Sequence, residues 1–132
     1  MIDCENEVFT RIAIPLRESF QGINLTSEYV NAPSSFPHVS IVMADNSVMP
    51  ESLDSGSYEI SIVMFEISIY SNLTSGSKSE CRKIAKEIDK IMFSMNFSRL
   101  SMIPVPNMED SSIYRIVARY RAATDGKFLY RR

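Results

Sequence analysis

Residues 57–70 read SYEISIVMFEISIY, the strongest strand signal in the chain, and their apolar alternation changes phase midway. Tyr58, Ile60 and Ile62 share one phase, with Glu59 and Ser61 on the other. Beyond Met64 the order inverts, so that Phe65, Ile67 and Ile69 are apolar and Glu66 and Ser68 polar. A straight strand cannot hold both apolar sets on one face. Such a strand would span roughly 46 Å at about 3.3 Å per residue. A globule of this chain length is only about 36 Å across. Two outcomes are therefore expected. A bulge near Val63-Met64 restores the phase, or the far half leaves the body and buries Phe65, Ile67 and Ile69 on a partner. On the second outcome, Asp at Ile67 and Ile69 would leave a folded domain that no longer assembles.

The rest of the chain surrounds this strand with recognisable elements. In residues 3–20, Val8, Ile12, Leu16 and Phe20 form one stripe of an amphipathic helix. Asp3 is placed to cap it, Pro15 predicts a kink or early stop, and Gln21-Gly22 ends it. Residues 25–31 read as a weak strand or an extended arm; Val39, Ile41 and Met43 then alternate as a strand should. Residues 45–56 are rich in Asp, Asn, Ser, Pro and Gly and read as a loop, long for a hairpin, that also carries Val48, Met49 and Leu53.

Ser77 and Glu80 fit a capping box. The helix after them has Cys81, Ile84, Ala85, Ile88, Ile91, Met92 and Met95 on one face and Lys78, Arg82, Lys83, Lys86, Glu87, Asp89 and Lys90 on the other. Asn96 is its expected C-cap. Residues 97–103 and 113–121 read as strands. In the latter, Tyr114, Ile116, Ala118 and Tyr120 oppose Arg115, Val117, Arg119 and Arg121. Asp125-Gly126 marks a turn, and residues 127–130 add a last short strand. The order helix, strands, helix, strands predicts an α+β fold. Its mainly antiparallel sheet carries an N-terminal helix and one long amphipathic helix on one face.

Composition removes most function classes. At 132 residues the chain is expected to form one domain, residues 1–132, with one core. Fourteen basic against sixteen acidic side chains exclude a generally basic nucleic-acid binder. The apolar run Ile62-Val63-Met64-Phe65 is far below the roughly 20 residues of a membrane helix. Met1-Ile2-Asp3-Cys4-Glu5 lacks the basic-then-apolar order of a signal peptide. The expectation is a soluble intracellular domain, and the Asn24, Asn72 and Asn96 glycosylation patterns are then chance matches.

No catalytic constellation emerges. The sequence has no G-x-G-x-x-G, Walker lysine loop, H-E-x-x-H or G-x-S-x-G, so no enzyme and no cofactor is expected. His38, far from any nucleophile motif, reads as an ordinary surface or edge histidine. Cys4 and Cys81 lie on apolar helical stripes and read as buried free thiols, with no metal site. Asn107, Glu109 and Asp110 carry too few oxygens for a calcium loop and read as a solvated one. Arg115, Arg119 and Arg121 read as a paired face, bonded to Glu59 or Glu66 or to a neighbouring subunit. The basic face of the long helix reads as solvated. Met49 and Met108 stand in loops, where adaptable contact surfaces and folding back onto the core explain them equally well.

The layout as a whole resembles one known family. It comprises an N-terminal helix, Phe36-Pro37-His38-Val39-Ser40-Ile41, and the strand end Glu66-Ile67-Ser68-Ile69-Tyr70-Ser71-Asn72. One amphipathic helix follows, then Met108-Glu109-Asp110-Ser111-Ser112-Ile113-Tyr114-Arg115 and Ile116-Val117-Ala118-Arg119-Tyr120. This resembles the tail-terminator (tail-completion, tail-to-head joining) proteins of long-tailed bacteriophages, over nearly the whole chain. The resemblance implies a structural virion protein, made in the host cytoplasm, that forms a ring, expected to be a hexamer. The ring caps the tail tube, ends its polymerisation and docks on the head connector or stopper protein, while DNA passes its channel unread. Within that picture Phe65, Ile67, Ile69, Arg115, Arg119 and Arg121 are expected at the subunit interface. Val48, Met49 and Leu53 are expected against tube or connector. The alternatives are another neck, head-completion or tail-tube protein, or a small cytosolic α+β ligand-binding domain.

Overall fold

The computed structural model describes residues 1–30, 33–49, 59–107, 110–126 and the strand backbone of 129–130. In chain order the elements are α1 (Glu5–Ser19), β1 (Asn24–Thr26), β2 (His38–Val48), β3 (Ser61–Ser71), α2 (Ser77–Ser94), β4 (Ser98–Pro104), β5 (Tyr114–Thr124) and β6 (Leu129–Tyr130). The strands form one sheet in the order β1-β2-β3-β5-β4, with β6 also on β5. Only β1 and β2 run parallel. Because β3 fills one edge of β5 from end to end, β4 and β6 share the other, β4 against residues 116–121 and β6 against Ala123 and Thr124. This is the α+β architecture expected from the order of elements.

Both helices cover one face. α1 lies on β2 beside α2, and α2 lies across β3, β5 and β4. Val8, Ile12, Ala13 and Leu16 of α1 and Cys81, Ile84, Ala85, Ile88 and Met92 of α2 meet Val39, Ile41, Val63, Phe65, Ile67, Ile69, Ala118 and Tyr120 of the sheet in one buried cluster. Phe97 packs edge-on to Phe65 at 5.6 Å between ring centres. Each large side chain so buried stabilises the fold by about 1.5–3 kcal/mol.

The phase change in the central strand resolves differently from either expectation. β3 has continuous register along its whole length against β5, and Val63, Phe65, Ile67 and Ile69 all face the helices at 0% exposure. Of the residues out of phase, Ile62 lies half-buried on the opposite face, Ile60 is half-buried just before the strand, and Tyr58 lies outside the described residues. The extra residue sits in the partner strand, where the β2 register shifts between Met43 and Asp45. Ala44 is thereby left unpaired. At eleven residues, β3 spans about 36 Å and fits the body without protruding. Phe65, Ile67 and Ile69 therefore belong to the protein's own core. With no exposed area they have nothing to offer a second copy, and the assignment of these three to a subunit interface is corrected.

Other boundaries move for local reasons. β2 continues through residues 45–48, expected in the loop, because Asp45 to Val48 pair with β3 as far as Ser61. α1 runs past Pro15 without an early stop, held by its buried stripe; it starts after Cys4, yet Asp3 Oδ1 still accepts the Glu5 amide at 3.1 Å. The expected capping box is absent: Gly76, at φ +89°, precedes α2, and no side chain caps it. Glu80 instead accepts a 2.6 Å hydrogen bond from the hydroxyl of buried Ser71, tying the first turn to the end of β3. At the other end Met95 is the C-cap and Asn96 follows in the left-handed region at φ +65°. The Phe97 amide donates to the Met92 carbonyl and the Asn96 amide to that of Phe93, a Schellman closure that aims Phe97 into the core.

Ile67→Asp is expected to give no folded protein, whereas Ile62→Asp, on the opposite face, keeps a cooperative urea transition. Phe97→Ala is expected to lose about 3–4 kcal/mol of unfolding free energy in the same titration.

Candidate functional site

The face of the sheet away from the helices carries the arginine row. Strand register sets Arg115, Val117, Arg119 and Arg121 of β5 beside Tyr70, Ser68, Glu66 and Met64 of β3. Arg119 pairs with Glu66 at 3.0 Å. Arg119 is half exposed, so the pair is worth at most about 1 kcal/mol. Tyr29 also hydrogen-bonds Glu66, and its hydroxyl is pushed up chiefly by burial and then by that carboxylate. Arg115 donates to Ser68 Oγ at 3.3 Å and lies 5.3 Å from the centre of the Tyr70 ring, while its Nε is buried with no partner among the described residues. Arg121 makes no ion pair with any described residue. Glu59, the other expected partner, accepts instead from the Ile2 amide at 3.2 Å and from Ser61 at 3.0 Å.

One end of this face is covered by the segment after β1. The Glu28 carbonyl accepts from Ser40 Oγ at 2.6 Å, and the Val30 carbonyl accepts from the Tyr70 hydroxyl. Beneath it lies His38, expected at the surface but only 2% exposed. One ring nitrogen lies 2.9 Å from Asn24 Nδ2 and the other 3.1 Å from Thr26 Oγ1. The strand pairing of β1 with β2 places both partners beside it, so the imidazole is an internal tie between the two strands. Its pKa is lowered by burial.

The second surface is a groove of about 1080 Å³ between α2 and the edge strand β4. Met102, Tyr114 and Ile116 contribute apolar wall, and Lys78, Arg82, Lys83, Lys86, Lys90 and Arg99 bring cations to it. Lys78, Arg82, Lys86 and Lys90 are spaced by four and so form one row along the helix. Lys90 pairs with Glu87 at 3.4 Å and Arg99 with Asp89 at 3.4 Å, Asp89 also accepting from the Tyr120 hydroxyl. Lys78, Arg82, Lys83 and Lys86 have no ion pair among the described residues. Leu100 and Ile103 on β4 are about half exposed. Sequence reasoning passed over this groove as a solvated helix face. The four-residue cation spacing was legible; the edge strand that completes the groove was not.

The remaining expected positions divide. Val48 ends β2 at 40% exposure, and Met49 is half-buried, its amide donating to the Ile60 carbonyl at 2.7 Å. Leu53, Met108 and Glu109 lie outside the described residues. Asp110 holds its own turn through the Ser112 amide and hydroxyl at 2.9 and 2.7 Å. Cys4 and Cys81 are free and buried, and burial raises their thiols to about 11 and about 12. Among the described residues no cluster of His, Cys, Asp or Glu is arranged to hold a metal ion, and no helix is long and apolar enough to cross a membrane.

No family model matches the sequence, and no curated protein matches it significantly. Among solved structures, the fold is similar to that of a chain in the virion of a native gene transfer agent particle. The TM-score is 0.63 at 14% identity, over 90% of this chain and 92% of that one.

Burial of neutral His38 fixes the direction of one pH effect. The unfolded chain takes up a proton near the ordinary value of 6.5 and the folded one only at lower pH. The melting temperature is therefore expected to fall as pH drops from about 6.5 through the lowered folded value, then level off. His38→Gln should flatten that part of the profile, as followed by thermal scans in a pH series.

Proposed function

We propose that this chain is a structural subunit of a phage-type virion, a tail-terminator-like protein of the neck with no catalysis of its own. Its copies close into a ring, a hexamer on the family resemblance, that caps the tail tube and joins it to the head connector. The observation that carries this reading is the match of fold to a gene transfer agent virion chain along nine-tenths of the sequence. The geometry agrees with it. Two unlike sheet edges, β1 at one side and β4 at the other, leave the sheet open to neighbours at both ends.

Termination on this reading is steric and adhesive. One rim of the ring meets the tube, and the other lacks the tube's contact surface and so stops growth. Val48 and Met49, at the end of β2, are proposed to meet tube or connector, together with Leu53, which follows them in the sequence. Arg121 is the member of the arginine row open to a neighbouring subunit, since Arg119 is engaged by Glu66 and Arg115 lies against Ser68 and Tyr70. DNA would pass the channel without being read.

Light scattering with negative-stain imaging tests the proposal. The expected result is one defined multiple of the 15.0 kDa chain mass, seen as closed rings. A monomer at every concentration would overturn it, and open filaments would favour a tube subunit.

A further inference from the structure

The chain's charge is divided along its length. Residues 1–76 carry two basic against ten acidic side chains, and residues 77–132 carry twelve against six. Folding turns this division into a spatial one. The first part supplies α1 and the β1–β2 edge of the sheet; the second supplies α2, β5 and the opposite edge at β4. Glu18 and Glu28, both exposed, flank β1 on the acidic edge, and Asp45 lies exposed on β2. Lys78, Arg82, Lys83 and Lys86 stand along the groove, which Phe20 at the end of α1 also borders, and have no ion pair among the described residues. The net charge of −2 leaves little repulsion between whole copies, so the separated charges govern how they meet.

We infer that the groove between α2 and β4 is the socket for the acidic β1–β2 edge of a second copy. This assignment rests on the ring reading and names the contact that would build the ring. A two-fold pairing through the groove would set cations against cations. A head-to-tail pairing sets each groove against an acidic edge, and leaves a free edge and a free groove to continue the series until it closes. The outer edge of β4, which pairs with no strand among the described residues, and half-exposed Leu100 and Ile103 supply backbone and apolar contact.

Charge swapping tests the assignment. Arg82→Glu with Lys86→Glu is expected to weaken association by about tenfold or more, as is Glu18→Lys with Glu28→Lys. Mixing the two double variants is expected to restore assembly, because each groove then meets an edge of opposite charge. All four side chains are exposed, and circular dichroism checks that each variant is folded; Lys78→Glu with Lys83→Glu replaces the groove pair if it is not. Wild-type assembly should also weaken with added salt. Rings of unchanged mass and affinity from the groove variant, or a mixture that stays apart, would overturn the socket while leaving the ring reading standing. A wild-type chain that never associates would overturn the ring reading itself.

Discussion

Everything in this fold is referred to β3, paired to β2 and to β5 along nearly its whole length. Its odd residues from Val63 to Ile69 have no exposure and fix which face the helices must cover. Once α1 and α2 occupy that face, the even residues are turned away from the core, and with them the matching residues of β5. The arginine row thus follows from core parity. A strand that buries Ile67 against the helices must set Glu66 and Arg119 side by side on the opposite face.

This parity also explains what could and could not be read from the sequence. The helical stripes, the α+β order and the two faces of β5 were legible because each rests on a period repeated within one element. The fate of Phe65, Ile67 and Ile69 was not. Periodicity shows that two apolar phases exist in one strand, but which of them meets the core depends on α2, a separate segment. The bulge was misplaced for a related reason: an extra residue can lie in either strand of a pair, and the mismatch in β3 is accommodated opposite it, at Ala44. Residues 45–48 looked like loop by composition, yet backbone pairing to β3 overrides a weak propensity.

Polar side chains were harder to place than apolar ones, because their partners are distant in sequence. Glu80 suited a capping box with Ser77 and bonds Ser71 instead. His38 suited an exposed edge and is enclosed by Asn24 and Thr26, which only the parallel pairing of β1 brings near. Glu66 was a stated partner for the arginines, and Arg119 takes it. The groove needed two elements at once, the cation row of α2 and the edge position of β4, and the second is a property of sheet order alone.

The two cysteines close the account from another side. Both thiols are enclosed and hold their protons far above neutral pH, Cys81 at no exposure and Cys4 nearly so. The thiolate is the species that oxidises and exchanges. A chain built this way offers air and disulfide reagents little purchase while it stays folded, so it is expected to remain free of disulfide cross-links outside a reducing environment.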